Sequence, residues 1–223
     1  LADGPDVAGQ LVAAAEELAL RRSCPTIELR GGPLPEGRAG WSLRADSHCG
    51  FAAPLAADAE AQLLAIPRKQ RAEVRKGIDA SLTVETGTSE RDRAAHHAVY
   101  AESVRNLGTP VFPRALFDAV LDAFGEDADI LTVRREGRAG SSVLSLYHRG
   151  AAMPYWGGGI RAARTLRSNE FMYYALMCHA IRRGCTRFDY GRSKTGSGPY
   201  HFKRNWGFAP VPLVYGSWTA PGA

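Results

Sequence analysis

Apolar positions recur at helical spacing over residues 6–22, where Leu11, Ala14, Ala15, Leu18 and Ala19 share one face, and Pro25 follows the end of that segment. Thr26 to Leu29 predicts a short strand, and Gly31 to Gly40, with two prolines among its glycines, predicts a loop. Trp41–Arg44 and Gly50–Leu55 predict two more short strands. Asp58 to Gly77 has a helical pattern with a break or new first turn at Pro67, and Gly77 is placed as its C-terminal cap. From residue 80 the pattern sharpens. Ser81–Glu85 alternates as a strand. Ser89 opens a helix to about Asn106, and Phe112–Phe124 forms another with Leu116, Val120 and Phe124 on one face. Ile130–Glu136, Gly140–His148 and Ala152–Trp156, separated by turns at Gly137 and Gly150, predict an antiparallel meander that ends at Gly157-Gly158-Gly159.

Arg167–Arg183 carries the clearest helix signals: Ser168 or Asn169 as cap, Glu170 in the first turn and Gly184 at the close. Thr186–Tyr190 follows as a short strand, and Val211–Thr219 as the last. Between them lies a long loop that sets Arg192, Lys194, Lys203 and Arg204 among glycines and aromatics. The order β-α-α-β-β-β-α-β-loop-β predicts an α/β (α+β) fold, a mixed and mostly antiparallel sheet with flanking helices.

Charge is distributed unevenly over the 223 residues. Residues 131–223 hold 14 Lys/Arg against Glu136, Glu170 and Asp189, a net +11, whereas residues 1–130 hold 14 against 20 acidic residues, a net −6. The C-terminal part is therefore expected to meet an anionic partner. Arginine and alanine are abundant throughout, so the arginine count alone is a weak argument for nucleic acid. Cys24, Cys49, Cys178 and Cys185 form no Cys-x-x-Cys pair and no zinc spacing, and they read as reduced structural or surface thiols. No apolar run reaches the roughly 20 residues of a membrane helix. No basic, apolar and small-residue series of a secretion signal opens the sequence. The expectation is a cytoplasmic protein, at most held at the inner face of the membrane without stable insertion.

The element order resembles the GNAT acyltransferase fold. Phe188-Asp189-Tyr190-Gly191-Arg192-Ser193, then Tyr200-His201-Phe202-Lys203-Arg204-Asn205-Trp206-Gly207-Phe208, resembles the signature of FemAB-like proteins. Pro67 to Gly77, with Arg68, Lys69, Arg71, Arg75 and Lys76, is similar to the basic helix that those proteins carry between two GNAT-like halves, and Gly108-Thr109-Pro110 fits their turn between the first helices. The nearest resemblance is to the FemAB-related proteins of exosortase/PEP-CTERM systems. It covers residues 58–223 well and 1–57 by pattern. It implies tandem domains: residues 1–66 as a partial N-terminal GNAT-like domain lacking its first strands, and residues 67–223 as the C-terminal one.

The resemblance implies aminoacyl or acyl transfer to an amine of a cell-envelope or peptidoglycan-type precursor. It also implies a link to exopolysaccharide or surface-protein processing. The donor would be aminoacyl-tRNA, gripped at its acceptor end, with no bound cofactor and no metal. Lys203, the lysine of the Phe-Lys pair, is implied to stabilise the oxyanion. Asp189 is expected to orient the loop or to accept from the incoming amine. Arg192 and Lys194 suit a phosphate or carboxylate. Ser193, Tyr190, Tyr200, Phe202 and Trp206 are placed around the substrate, and Arg71 and Arg75, four apart on one helix face, along a cleft. Two alternatives stay open. One is a GNAT enzyme using acyl-CoA or acyl carrier protein. Against it, Gly157 to Arg164 lacks the Arg/Gln-x-x-Gly-x-Gly/Ala spacing that holds a pyrophosphate at a helix start. The other is a non-catalytic RNA-binding module, which would show steep salt dependence. The acceptor, the acyl group and the oligomeric state are not fixed by the sequence.

Overall fold

The structure is a computed structural model that describes residues 4–31 and 37–222. The Pro33 and Pro35 part of the predicted 31–40 loop lies outside the described residues. The elements in order are α1 (Pro5–Arg21), β1 (Thr26–Arg30), β2 (Trp41–Pro54), α2 (Ala59–Ala65), α3 (Arg68–Ile78), β3 (Thr83–Gly87), α4 (Glu90–Arg105), α5 (Arg114–Phe124), β4 (Ala128–Arg135), β5 (Arg138–His148), β6 (Ala151–Gly159), α6 (Ser168–Arg182), β7 (Arg187–Lys194), α7 (Gly198–Asn205) and β8 (Val211–Thr219). They form two compact units. The first comprises Leu1–Gly50, Arg192–His201 and Pro210–Ala223; the second comprises Phe51–Gly191 and Phe202–Ala209.

In the first unit β8 lies between β1 and β2, antiparallel to both. The two predicted strands around residues 41–55 are one 14-residue strand. Its pairing with β8 shifts between Arg44 and His48, a bulge that the turn-like composition of Ala45-Asp46-Ser47 had disguised as a gap. α1 covers one face of this sheet: Glu16 accepts from the Trp41 indole at 2.6 Å and pairs with Arg38.

The second unit follows the predicted meander. β3, β4, β5 and β6 pair antiparallel in sequence order, and β7 joins β6 in parallel. β4 is buried from Ala128 to Arg134, because helices cover both of its faces. On one face Tyr100 and Val104 of α4 and Phe117 and Leu121 of α5 pack on Ile130, Leu144 and Leu146. On the other, α6 buries Met172, Leu176, Met177 and Ala180. α5 turns Phe117 and Leu121 fully inward, with Val120 at the margin, while Phe124 is half exposed. Pro67 does break the 58–77 helix: Ile66 is extended, so α2 and α3 are separate. The cap of α6 is Arg167, in the left-handed region at φ 53°, instead of a Ser168 or Asn169 side chain.

Beneath α4, His96 is fully buried. Its Nδ1 lies 3.1 Å from the Ser142 hydroxyl, which in turn lies 3.0 Å from that of Thr132. Burial, with a smaller push from His97, lowers its pKa to about 4. The folded state therefore holds His96 neutral, while the unfolded chain protonates it below about 6.5. Stability from this group is complete above 6.5 and is lost as pH falls toward 4, on the order of 3 kcal/mol over that window. Melting temperatures measured across pH 7 to 4 should fall less steeply in His96→Gln than in the wild type. Equal slopes would show that His96 does not govern the acid limb.

Candidate active site

β6 and β7 share a short parallel ladder, Ala151 with Arg187 and Ala152 with Phe188, and then part. The sequence supplies the cause. The next residues of β6 are Met153 and Pro154, and proline has no N–H to give a neighbouring strand. On its other side the register with β5 jumps from Leu144–Trp156 to Ser145–Pro154, which leaves Tyr155 as an extra, exposed residue. A bulge of this kind bends and twists its strand. The backbone of β7 from Asp189 onward is thus clear of β6.

Lys203 serves this stretch. It lies on α7 and is 9% exposed, and its Nζ donates to the carbonyls of Tyr190 at 2.7 Å and Gly191 at 3.3 Å. The same ammonium lies 5.5 Å from the centre of the Phe51 ring. Burial lowers its pKa to about 8, opposed by the charge of Asp189. Asp189 itself accepts from the Gly191 N–H at 2.8 Å, so it shapes the turn at Gly191, whose φ of 65° favours glycine. Phe202, the neighbour of Lys203 on α7, belongs to an aromatic cluster. Tyr173 of α6 meets Tyr190, Phe202 and Trp206 with ring centres 5.2, 5.5 and 6.0 Å away, and Phe208 closes on Tyr190 at 4.8 Å. The Tyr190 hydroxyl and the Trp206 indole N–H are buried and have no hydrogen-bond partner among the described residues. Burial pushes the Tyr173 hydroxyl up to about 12, and burial with a smaller push from Tyr173 raises that of Tyr190 well above its ordinary value.

The second unit thus gathers Lys203, Asp189, Tyr190, Phe202 and Trp206. Arg192, Ser193, Lys194 and Tyr200 fall in the first unit. There Arg192 donates to the Tyr215 hydroxyl, Ser193 is buried, Lys194 is exposed, and Tyr200 packs edge-on to His201. On α3, Arg71 donates to the Leu64 carbonyl at 2.8 Å and closes the end of α2, while Arg75 is exposed. A groove of about 480 Å³ takes Lys69, Gln70 and Glu73 from the same helix, together with Arg167, Glu170 and Arg204.

Three features of the site escaped the sequence reading. The loop predicted over 191–210 contains α7, which is what turns Lys203 inward. Gly157 to Gly159 do not end the meander but continue β6, paired with Ser141 to Val143. Glu102 of α4 accepts from the Arg161 N–H at 2.8 Å, at the head of the turn that leads to α6. Pro154 inside a strand pattern was the available signal for the parting of β6 and β7.

An antiparallel meander, a helix, and a parallel strand that parts from its neighbour make the fold of a GNAT-type acyltransferase. The model of the acetyltransferase (GNAT) domain family matches residues 68–204, more than half of the chain, and the protein belongs to that family. Its fold is also that of FemX, with a TM-score of 0.75 at 14% identity over 96% of this chain and 77% of that one. The C-terminal domain of a protein assigned as a lysylphosphatidylglycerol synthetase from Agrobacterium fabrum aligns with a TM-score of 0.65 at 15% identity, over 98% and 74% of the two chains. A tandem GNAT protein from the clavulanic acid biosynthesis pathway gives 0.59 at 14%, over 97% and 71%. No curated protein matches the chain. Among the described residues no helix is long and apolar enough to cross a membrane, and no group of side chains could hold a metal ion.

Proposed function

We propose that the protein is a FemAB-like N-acyltransferase that moves an aminoacyl group from aminoacyl-tRNA to an amine of an anionic cell-envelope precursor. The observation that carries this reading is the buried ammonium of Lys203, fixed by two strand carbonyls where β6 and β7 part. When an amine adds to an ester carbonyl, negative charge develops on the carbonyl oxygen, and the bond to the donor's oxygen then breaks. A cation held in place before the reaction stabilises that charge without reorganising, and in a site shielded from water it does so strongly. In this reading Lys203 is that cation. Asp189 sets the turn that presents the two carbonyls. The aromatic cluster keeps the surroundings apolar, and its Tyr190 and Trp206 donors are oriented by packing alone.

Glu102 supports an aminoacyl-tRNA donor over acyl-CoA. Enzymes that hold a pyrophosphate at a helix start use backbone N–H groups of the preceding turn. Here the Arg161 N–H already faces a carboxylate, which would repel a pyrophosphate, and the three glycines are committed to β6. The names of two structural neighbours, FemX and the lysylphosphatidylglycerol synthetase domain, agree with an envelope substrate.

The test is a transfer assay with labelled aminoacyl-tRNA, acetyl-CoA and a long-chain acyl-CoA against peptidoglycan-precursor and lipid acceptors, run beside melting curves with each donor. Label transfer from aminoacyl-tRNA, and a rise in melting temperature with it but not with acetyl-CoA, is the expected result. Turnover with acyl-CoA alone would replace this reading with a CoA-dependent one.

A further inference from the structure

α1 shows solvent its larger apolar side chains and buries its smaller ones. Helical spacing sets Leu11, Ala14, Ala15, Leu18 and Ala19 on one apolar face, and the fold divides that face. Ala8, Val12 and Ala19 are buried, with Ala15 half-buried beside them, where α1 packs on β1. Leu11 is 51% exposed and Leu18 48%, and Val7 and Ala14 are exposed with them. A surface helix ordinarily keeps polar residues on the side away from its core. Val7, Leu11, Ala14 and Leu18 follow one another at steps of four, three and four residues. That is the spacing at which two helices pack knobs into holes along a seam.

The seam is complementary to an antiparallel copy of itself. When Leu11 lies against Ala14 of a second α1, Ala14 lies against Leu11, and Val7 and Leu18 face each other at both ends. The central layers then join a large and a small side chain, which lets the helices close without a void. A parallel pair would oppose Ala14 to Ala14 and leave one. The end charges choose the same orientation. α1 has Asp6 in its first turn and Arg21 in its last, where Arg21 lies 3.8 Å from Glu17 with both side chains exposed. Antiparallel docking brings Asp6 of each helix toward Arg21 of the other and sets the two helix dipoles in opposite directions; parallel docking puts like charge beside like charge. A lipid surface suits the stripe less well. Residues 5–21 hold Asp6, Glu16 and Glu17 against Arg21 alone, whereas helices that lie on membranes carry lysine and arginine on their polar face.

We propose that α1 docks antiparallel on α1 of a second copy of this chain, with Val7, Leu11, Ala14 and Leu18 as the seam of a two-fold dimer. One helix pair is a small interface, so the dimer forms reversibly at micromolar concentration. Nothing in this arrangement depends on the transferase reading.

The experiment is sedimentation equilibrium of the full chain from about 5 to about 500 µM, a range that spans the dissociation constants of weak interfaces. The wild type should show a monomer–dimer equilibrium. Leu11→Glu and Leu18→Glu should each weaken it at least about tenfold, since a charge then enters the seam from both copies. Melting curves of these variants at the lowest concentration should match the wild type, because both positions face solvent in the monomer. Asp6→Arg and Arg21→Glu, each alone, should weaken association about fivefold. Mixed together, these two variants should associate more tightly than either does alone, because every end contact then pairs opposite charges; fraying of α1 would not produce that gain. Sedimentation with phosphatidylglycerol vesicles tests the other occupant. A chain that is monomeric throughout the range, a dimer that Leu11→Glu and Leu18→Glu leave intact, or a mixture no tighter than its components would each overturn the proposal. So would a monomer that the vesicles capture and that Leu11→Glu releases.

Discussion

Lys203→Met should lower acyl transfer about 100- to 1000-fold, the usual cost of removing one preorganised oxyanion donor, while the protein stays folded. The two halves of that expectation have one cause. Burial of the Lys203 ammonium lowers its pKa to about 8, from about 10.4 in an unfolded chain. Between these values the unfolded state binds more protons, so the stability owed to this group is complete above the unfolded value and is lost as pH falls through 8. At neutral pH the folded protein carries the full desolvation cost of a buried charge. Methionine fills a similar volume without that cost, although the Tyr190 and Gly191 carbonyls lose their donor. The opposing terms should leave the melting temperature within about 3 °C of the wild type. The same pKa predicts that transfer declines as pH rises through about 8, where the ammonium deprotonates. In Lys203→Arg, which stays charged, that descending limb should vanish even if the rate is low. A Lys203→Met enzyme with near-normal turnover, or a Lys203→Arg enzyme that keeps the limb, would remove Lys203 from the chemistry.

What could be seen in the sequence follows from the range of the interactions involved. Helices α4 and α6 and the β4–β5–β6 meander announce themselves because their signals are local: Ser89 with its capping box to Asp92, the turns at Gly137 and Gly150, the apolar runs between them. α7 was hidden because Gly198 and Pro199 read as breakers, yet proline at the first turn of a helix is tolerated. The side chain that matters most on it cannot be oriented from spacing, since Phe202 and Lys203 are neighbours and only the tertiary fold turns the charged one inward and leaves the aromatic one half-buried. The basic helix shows the same limit. Its Arg71 serves a local carbonyl, and Lys69, Gln70 and Glu73 face the groove. Arg30 and Arg44 are separated in sequence by a loop and drew no attention. They become neighbours of one tyrosine, Tyr215, through the register of β8, far along the chain.

Gly158→Ala should lower the melting temperature by roughly 3–10 °C, the equivalent of about 1–3 kcal/mol of overpacking in a chain of this size. Gly158 reads in the sequence as one of three loop glycines. In the fold it is a strand residue over which α4 lies so closely that an added Cβ would stand 2.2 Å from the Ser103 hydroxyl oxygen and 2.6 Å from the Ser103 Cβ. The oxygen can rotate away, but the Cβ cannot, so α4 must withdraw from β6. Two second-site changes separate these contributions. Ser103→Ala removes the oxygen and leaves the Cβ clash, so it should restore part of the loss in Gly158→Ala. Ser103→Gly removes both atoms and should restore more, less the cost of about 1 kcal/mol for glycine inside a helix. Additive losses in the double variants would show that the two residues are not in contact. The consequence extends to the site, because Glu102 precedes Ser103 and holds the Arg161 N–H at the turn into α6. A displaced α4 pulls that carboxylate off the turn. Transfer in Gly158→Ala should therefore fall well below the temperature at which the variant melts, and Ser103→Gly should recover activity and stability together.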